Sequence, residues 1–187
     1  MGTSSEKSNI KNQENIIKEG DLSISKNSKS QDISEYFKEQ KSPELFNKNM
    51  LELHNQFRKE HHSNKLENKI ELNTKANKYA EILLGISENN EGINFFNEDI
   101  LGENIYITDK EEKEENICQY WYNENKKYNY ELNNFQKDTN HFTQLVWNST
   151  KFIGFGYANN NNKNCYVALY YPAGNVFGQF TNNVFKI

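Results

Sequence analysis

The sequence predicts an α+β domain in which several helices pack against antiparallel strands. Apolar residues recur at three- and four-residue steps in four stretches between Pro43 and Trp147, which is the spacing of helices with one buried face. Two β-branched and aromatic runs follow them near the end of the chain. Because strands and helices do not alternate repeatedly, the pattern favours layers of helix and antiparallel sheet over a parallel βαβ fold.

The chain has the length of one domain with a tail, since it contains 187 residues. Residues 1–41 are rich in Ser, Asn, Lys, Glu and Gln and contain few apolar residues, so we predict a disordered polar tail there. Residues 42–187 are the predicted domain. The formal net charge of −4 argues against a nucleic-acid partner, because proteins that bind nucleic acid usually present a basic patch.

Two cysteines, Cys118 and Cys165, could form one disulfide, and their spacing does not decide whether they do. The chain starts without an apolar run of signal-peptide length and contains no stretch that resembles a membrane span. Two locations are therefore expected. The protein is secreted or lies in the lumen of the secretory pathway if a signal peptide has been removed, and otherwise lies at the cytosolic face of membranes.

Two helices are predicted in the first half of the domain. Pro43 suits the first position of a helix that runs to about His61. Asn73 or Thr74 could cap the second helix, and Gly85 ends it. The apolar faces comprise Phe46, Met50, Leu53 and Phe57 in the first helix, and Ala76, Tyr79, Ala80, Leu83 and Leu84 in the second.

The middle of the domain is predicted to combine a loop, a turn and a third helix. Residues 87–100 are typical of a loop, and residues 102–105 are predicted to form a compact polar turn. The acidic residues 111–115 begin a helix whose apolar positions continue to Tyr128. Glu124 is expected on this helix, which places a carboxylate beside its apolar stripe.

The last predicted elements are a short buried helix and a hairpin. Residues 138–140 are good capping types, so His141 is expected in the first turn of the helix that they begin. Residues 152–157 and 165–171 are predicted strands, and the Asn-rich stretch 159–162 is the turn between them.

Four short motifs in this order resemble those of the CAP superfamily, which is named for cysteine-rich secretory proteins, antigen 5 and pathogenesis-related type 1 proteins. They are residues 54–58 (HNQFR), 102–105 (GENI), 141–147 (HFTQLVW) and 166–175. The resemblance extends from about Pro43 to the last residue, and it is strongest to the Golgi-associated pathogenesis-related branch, in which the usual disulfide cysteines are also missing. It implies a three-layer α-β-α sandwich with a small antiparallel sheet.

The resemblance also implies a cleft lined by two His and two acidic residues. Glu103, Glu124 and His141 match three of these four positions, and the second His is missing from this sequence. Some members of the superfamily bind zinc or another divalent cation in this cleft. With one His and two Glu as the candidate metal ligands, the missing His counts against a zinc site. His61 and His62 are spare imidazoles, but their family counterparts are not cleft ligands.

Several other residues in the motifs are predicted to be structural. His54, Asn55 and Arg58 are expected to tie the first helix to its neighbours, and Glu124 could equally pair with His141 in a structural network. A set of large aromatic residues is expected in the core: Tyr120, Trp121, Trp147, Tyr170 and Tyr171.

The sequence shows no activated nucleophile, so we predict a binding module and not an enzyme. Following the resemblance, the expected partners are lipids, namely sterols, fatty acids or phospholipids, with peripheral membrane contact as an option and the oligomeric state left open. Two alternatives remain. One is a metal-dependent hydrolase in which Glu103 or Glu124 is the base. The other is a secreted protein-interaction or effector module that uses the loops at residues 87–97 and 133–139.

Overall fold

The computed structural model describes residues 42–86 and 101–187, and the predicted tail and the predicted loop 87–100 lie outside these ranges. The described residues belong to one unit, Lys41–Ile187. Four α-helices and four β-strands are formed in this part of the chain. They are α1 (Pro43–Glu60), β1 (Glu67–Asn68), α2 (Ile70–Leu83), β2 (Gly102–Thr108), α3 (Glu114–Tyr122), α4 (Asn140–Val146), β3 (Phe152–Asn159) and β4 (Asn164–Tyr171), with 3₁₀ turns at Asn123–Lys127 and Phe180–Asn182.

The four strands form one sheet in the order β1-β3-β4-β2. The three long strands are antiparallel, with β3 and β4 joined as the predicted hairpin and β2 paired along the other edge of β4. Strand β1 contains two residues and pairs with β3 in parallel. It was not predicted, because two residues are too few to show a period-2 pattern.

Helices cover both faces of the sheet, which confirms the α+β class and the three layers. The side chains of Tyr166, Ala168 and Tyr170 point from β4 into the core under α1, α3 and α4. The residues that alternate with them, Cys165, Val167 and Leu169, point to the opposite face, where they pack against α2. The side chains of a strand alternate between faces, so β4 contributes to both cores.

Helix α2 begins at Ile70, which is earlier than the predicted caps at Asn73 and Thr74. The side chain of Asn73 reaches the sheet, where its Oδ1 accepts the backbone N–H of Phe155 at 2.8 Å. Its Nδ2 donates to Asn68 at 2.8 Å. A residue of capping type is therefore used for a tertiary contact, and the predicted helix start is wrong for that reason.

Two further boundaries differ from the prediction. Residues 102–105 open strand β2 and do not form a turn, because Gly102 is in register with Tyr170 of β4. Helix α3 ends at Tyr122, and the chain tightens into the 3₁₀ turn that contains Glu124. Glu124 is therefore not part of the third helix, and the turn directs its side chain towards His141.

Cys118 and Cys165 are free and buried. They lie in different cores, Cys118 under α1 and Cys165 under α2, so the sheet separates them. Burial raises the pKa of the Cys165 thiol to about 11. Burial also raises the pKa of Cys118 well above its usual value. Both side chains are therefore neutral thiols at physiological pH.

Asn55 and Arg58 of α1 bond to segments that follow the helix. Asn55 holds the chain after the helix, since its Oδ1 accepts the N–H of Leu66 at 2.8 Å and its Nδ2 donates to the carbonyl of the same residue at 3.2 Å. The fully buried guanidinium of Arg58 donates to four backbone carbonyls: Asn64 at 2.7 Å, Leu145 at 3.0 Å, Trp147 at 2.9 Å and Thr150 at 3.2 Å.

In residues 42–86 and 101–187, no helix has both the length and the apolar character that crossing a bilayer requires.

Candidate functional site

The candidate site is built around the first turn of α4, where Glu124 contacts His141. The Oε2 of Glu124 accepts the backbone N–H of His141 at 2.8 Å and that of Phe142 at 3.1 Å. Its Oε1 lies 2.7 Å from the Nδ1 of His141. The first N–H groups of a helix have no partner within the helix, so this carboxylate caps α4 and orients the imidazole at the same time.

The pKa of Glu124 is lowered although the side chain is largely buried. Burial by itself raises the pKa of a carboxyl, because it disfavours the charged form. The hydrogen bond and charge of His141, together with the two backbone N–H groups, outweigh that effect and lower the pKa below its ordinary value of 4.5. Glu124 is therefore a carboxylate throughout the physiological pH range.

Replacing Glu124 with glutamine should destabilise the domain by about 1–2 kcal/mol at pH 7, because the charge-assisted bonds to α4 are lost. A carboxyl with a depressed folded pKa stabilises the fold fully above its unfolded pKa, and this contribution disappears as the pH falls through the folded value. The difference between wild type and Glu124→Gln should therefore shrink below about pH 4.5, where the unfolded-state carboxyl becomes protonated. Urea unfolding between pH 7 and pH 3 measures this difference.

Glu131→Gln is the matched control, because Glu131 is exposed on the loop that follows the 3₁₀ turn. It should leave the free energy of unfolding within about 0.5 kcal/mol of wild type. If Glu124→Gln has the same small effect as Glu131→Gln at pH 7, the capping role of Glu124 is wrong.

A buried chain of hydrogen bonds leads from this site into the core. Asn104 Nδ2 donates to the carbonyl of His141 at 2.9 Å and to the hydroxyl of Tyr170 at 3.1 Å. The Tyr170 hydroxyl lies 2.9 Å from His54 Nε2, and His54 Nδ1 lies 2.7 Å from the carbonyl of Met50. Two strands, β2 and β4, together with α1 thus fix the backbone of the helix turn that carries His141.

The direction of each hydrogen bond in this series follows from the carbonyl of Met50, because a carbonyl oxygen can only accept. His54 therefore carries its proton on Nδ1, and the Tyr170 hydroxyl donates to Nε2. Burial lowers the pKa of His54 to about 3, so the ring stays neutral in the folded protein. Since the unfolded value is near 6.5, this histidine stabilises the fold fully above that pH and loses its contribution as the pH falls towards 3.

Tyr120 lies at the surface and not in the core, which corrects the prediction for this residue. Its side chain is 51% exposed, whereas Trp121, Trp147 and Tyr170 are fully buried as predicted. The ring of Tyr120 lies 4.5 Å from that of Tyr106 and 6.4 Å from that of His141, measured between centroids. Consecutive residues of a helix face different sides, so Trp121 takes the core position and Tyr120 faces the solvent.

Glu103 lies on the other side of the sheet from α4. It is in register with Leu169, whose side chain packs in the core under α2. Burial, together with the nearby carboxylate of Glu103, raises the pKa of Tyr79 on α2 to about 12. The structure therefore brings Glu124 and His141 together and places Glu103 against a different helix.

The described residues do not fit a zinc site. In residues 42–86 and 101–187, no three His, Cys, Asp or Glu side chains come together as ligands. Zinc usually takes three or four protein ligands, and both oxygens of Glu124 already hold α4. His61 is no substitute, because its Nδ1 lies 2.6 Å from the carbonyl of Phe185 and its Nε2 lies 3.0 Å from the hydroxyl of Tyr122.

Asn104 and Tyr120 are the site residues that the sequence interpretation missed. Asn104 stood in the GENI motif, but its residue type alone does not indicate that both hydrogens of the amide are used. The helical spacing of α3 contained the signal for Tyr120, since only one of two adjacent aromatic residues can face the core.

The sequence matches the CAP family, described as the cysteine-rich secretory protein family, over residues 51–171. It is 33% identical over 148 residues to the human Golgi-associated plant pathogenesis-related protein 1, a match that covers 74% of this chain and 92% of the human protein. It is 38% identical over 85 residues to the mouse GLIPR1-like protein 1, covering 43% of this chain and 36% of that protein.

Solved structures have the same fold. The Schistosoma mansoni venom allergen-like protein 4 superposes with a TM-score of 0.58 at 23% identity, over 75% of this chain and 95% of that one. NaASP2, in a crystal structure with Zn²⁺, superposes with a TM-score of 0.58 at 20% identity, over 74% of this chain and 84% of that one. The family match and the human relative show that the chain belongs to the CAP family.

Proposed function

We propose that this CAP domain is a non-enzymatic module that binds lipids, namely sterols, fatty acids or phospholipids, beside His141. The observation that carries the proposal is the half-exposed ring of Tyr120, which rests on Tyr106 and lies next to the His141–Glu124 pair. An aromatic surface beside a fixed polar pair suits a ligand with an apolar body and one polar group.

The polar end of such a ligand has a candidate partner in His141. Nδ1 of the imidazole is bonded to Glu124, and Nε2 has no hydrogen-bond partner among the described residues. A ligand hydroxyl or carboxyl group could bond there, while its apolar part covers the tyrosine rings. Each Å² of apolar surface removed from water contributes about 25 cal/mol, so a sterol ring system or an acyl chain gains affinity quickly.

The nucleophiles in the described ranges support a binding role over catalysis. No Ser, Thr or Cys side chain there forms a hydrogen bond with His141. Cys118 lies 3.6 Å from His54 in the core, and its raised pKa keeps the thiol protonated. The hydrolase alternative needs a metal-bound water, and the described ligands do not fit a metal.

The interaction-module alternative used two loops. One of them, residues 87–97, lies outside the described residues, and the other, residues 133–139, exposes the ring of Phe135. The human relative is named Golgi-associated. For this chain we retain both predicted locations, namely the secretory pathway and the cytosolic face of membranes.

The lipid proposal predicts that wild-type protein retains labelled cholesterol or palmitate after gel filtration, and that Tyr120→Ala retains about tenfold less. The loss reflects one aromatic contact of about 1.5 kcal/mol, which corresponds to a factor of about ten in affinity. Retained label per mole of protein is the measurement.

Leu45→Ala is the matched control, because Leu45 is a half-exposed apolar residue on α1. It should retain as much lipid as the wild type. Retention by the wild type that equals that of an unrelated acidic protein would refute the proposed function.

A further inference from the structure

Residues Asn148, Ser149 and Thr150 form an acceptor sequence for N-linked glycosylation, which requires Ser or Thr two positions after an asparagine. Asparagine is abundant in this chain, yet Asn148 is the only one that meets this requirement. A motif match of this kind is a hypothesis until its structural context supports it. The structure has to leave the amide nitrogen of Asn148 accessible once the domain has folded.

The side chain of Asn148 follows α4 directly and is held by its oxygen, not by its nitrogen. Its Oδ1 accepts the backbone N–H of Asn64 at 3.0 Å. Nδ2, the atom that carries the sugar in a glycosylated asparagine, has no hydrogen-bond partner within residues 42–86 and 101–187 and is not among the buried unpartnered atoms of these ranges. It is therefore open to solvent. A glycan on Nδ2 leaves the amide oxygen free to keep its bond to Asn64.

The surface around Asn148 is polar. The backbone N–H of Asn148 donates to the carbonyl of Asn183 at 3.0 Å, and that of Ser149 donates to the side chain of Asn183 at 2.9 Å. These bonds bring the segment that contains Asn182 beside the acceptor sequence. Ser149, Asn64 and Asn182 are all exposed. A glycan is bulky and hydrophilic, so a polar surface of this kind suits it.

The hydroxyl of Thr150 indicates when the glycan is added. Thr150 is fully buried, and its Oγ1 donates to the carbonyl of Pro172 at 2.9 Å. The same oxygen accepts from Nε2 of Gln144 at 3.3 Å. The acceptor sequence depends on this hydroxyl, which the transferring enzyme cannot reach in the folded domain. The glycan therefore has to be added before the domain folds.

We propose that Asn148 is N-glycosylated as the unfolded chain enters the lumen of the secretory pathway. The donor is a lipid-linked oligosaccharide diphosphate. A bond forms between Nδ2 and the anomeric carbon of the first sugar, and the bond from that carbon to the phosphate oxygen breaks. The lipid diphosphate leaves with the electron pair, and the amide loses one proton. Of the two locations retained above, this modification requires the secretory pathway.

The first test expresses the full chain behind a cleavable signal peptide in a eukaryotic cell. The wild type should migrate one discrete step more slowly in a denaturing gel, and peptide N-glycosidase should remove that step and convert Asn148 to aspartate. Asn148→Asp keeps an oxygen that can accept from Asn64 but has no amide nitrogen, so it should show no step. Thr150→Ser should keep the step, because it keeps the hydroxyl.

Asn182→Asp is the matched control for Asn148→Asp. Asn182 is exposed on the neighbouring segment and has no Ser or Thr two positions later, so this variant should show the same step as the wild type. A wild type without the step would overturn the proposal, as would a step that persists in Asn148→Asp.

The second test treats protein isolated from the cells that produce it naturally with the same glycosidase, and mass spectrometry identifies the modified residue. Asn148 should carry a glycan there as well. An unmodified Asn148 in that protein also overturns the proposal, because it shows that the chain does not receive the glycan where it is made.

Glycosylation at Asn148 is independent of the proposed lipid site. His141 lies in the first turn of α4, whereas Asn148 follows its last turn, and a helix of seven residues is about 10 Å long. Asn148→Asp should therefore retain as much cholesterol or palmitate as the wild type, and Tyr120→Ala should keep the glycan. Failure of the lipid site and failure of the glycosylation site are thus distinguishable.

Discussion

Replacing Arg58 with alanine is expected to lower the free energy of unfolding by about 3–5 kcal/mol, because four backbone carbonyls lose their donor inside the core. Those carbonyls belong to the loop after α1, the end of α4 and the approach to β3, so one side chain holds three segments together. Burial lowers the pKa of Arg58 only to about 10, so the guanidinium is charged at neutral pH. Equilibrium urea unfolding monitored by tryptophan fluorescence measures the loss.

Two further variants test whether stability requires the planar arrangement of N–H donors in the Arg58 guanidinium. Arg58→Lys keeps the positive charge but offers three donors on one nitrogen, so we expect it to recover less than half of the loss. Lys59→Ala, at the exposed neighbouring position, should change the free energy of unfolding by less than about 0.5 kcal/mol. A loss below about 1 kcal/mol in Arg58→Ala would contradict the bonding role described for Arg58.

Substitution of Gly156 by alanine is expected to destabilise the domain by about 3 kcal/mol or more, because α2 lies directly against this strand position. A Cβ atom at Gly156 would lie 2.1 Å from the carbonyl carbon of Ala76 and 2.2 Å from the backbone nitrogen of Asn77. At Gly154 it would lie 2.2 Å from the carbonyl carbon of Leu72. The backbone of α2 would have to move away from the sheet.

Such a movement would also break hydrogen bonds between α2 and the outer edge of β3. The two residues of β1 pair only with Phe152 and Ile153, so β1 does not cover the rest of the outer edge of β3. Further along the strand, the side chain of Asn77 accepts the N–H of Tyr157 at 3.0 Å. An unsatisfied buried N–H costs about 1–3 kcal/mol, which adds to the steric cost.

Gly85→Ala is the control for Gly156→Ala. Gly85 has a positive φ of 67° but open space around it, so its substitution should cost only about 1 kcal/mol of backbone strain. Thermal unfolding of both variants compares the two costs. If Gly156→Ala is no less stable than Gly85→Ala, the close packing of α2 on β3 does not limit stability.

The sequence predicted most elements of this fold because their signals are local. Pro43 and the apolar positions of α1, the apolar runs of β3 and β4 and the start of α4 after Thr139 are all indicated within a few neighbouring residues. The sequence could not indicate β1, which acquires its bonds only beside β3, or the use of Asn73 as a link to the sheet.

The candidate site divides in the same way. Residue type and order were enough to identify His141, Glu124 and Glu103 as positions of interest, and to identify the CAP family through its motifs. Only the tertiary structure decided which of them meet. Strand alternation turned Glu103 towards α2, and the 3₁₀ turn after α3 directed Glu124 to the N-terminus of α4. Such contacts depend on how separate elements pack. Glu124 and His141 are 17 positions apart, and no sequence period predicts a hydrogen bond over that separation.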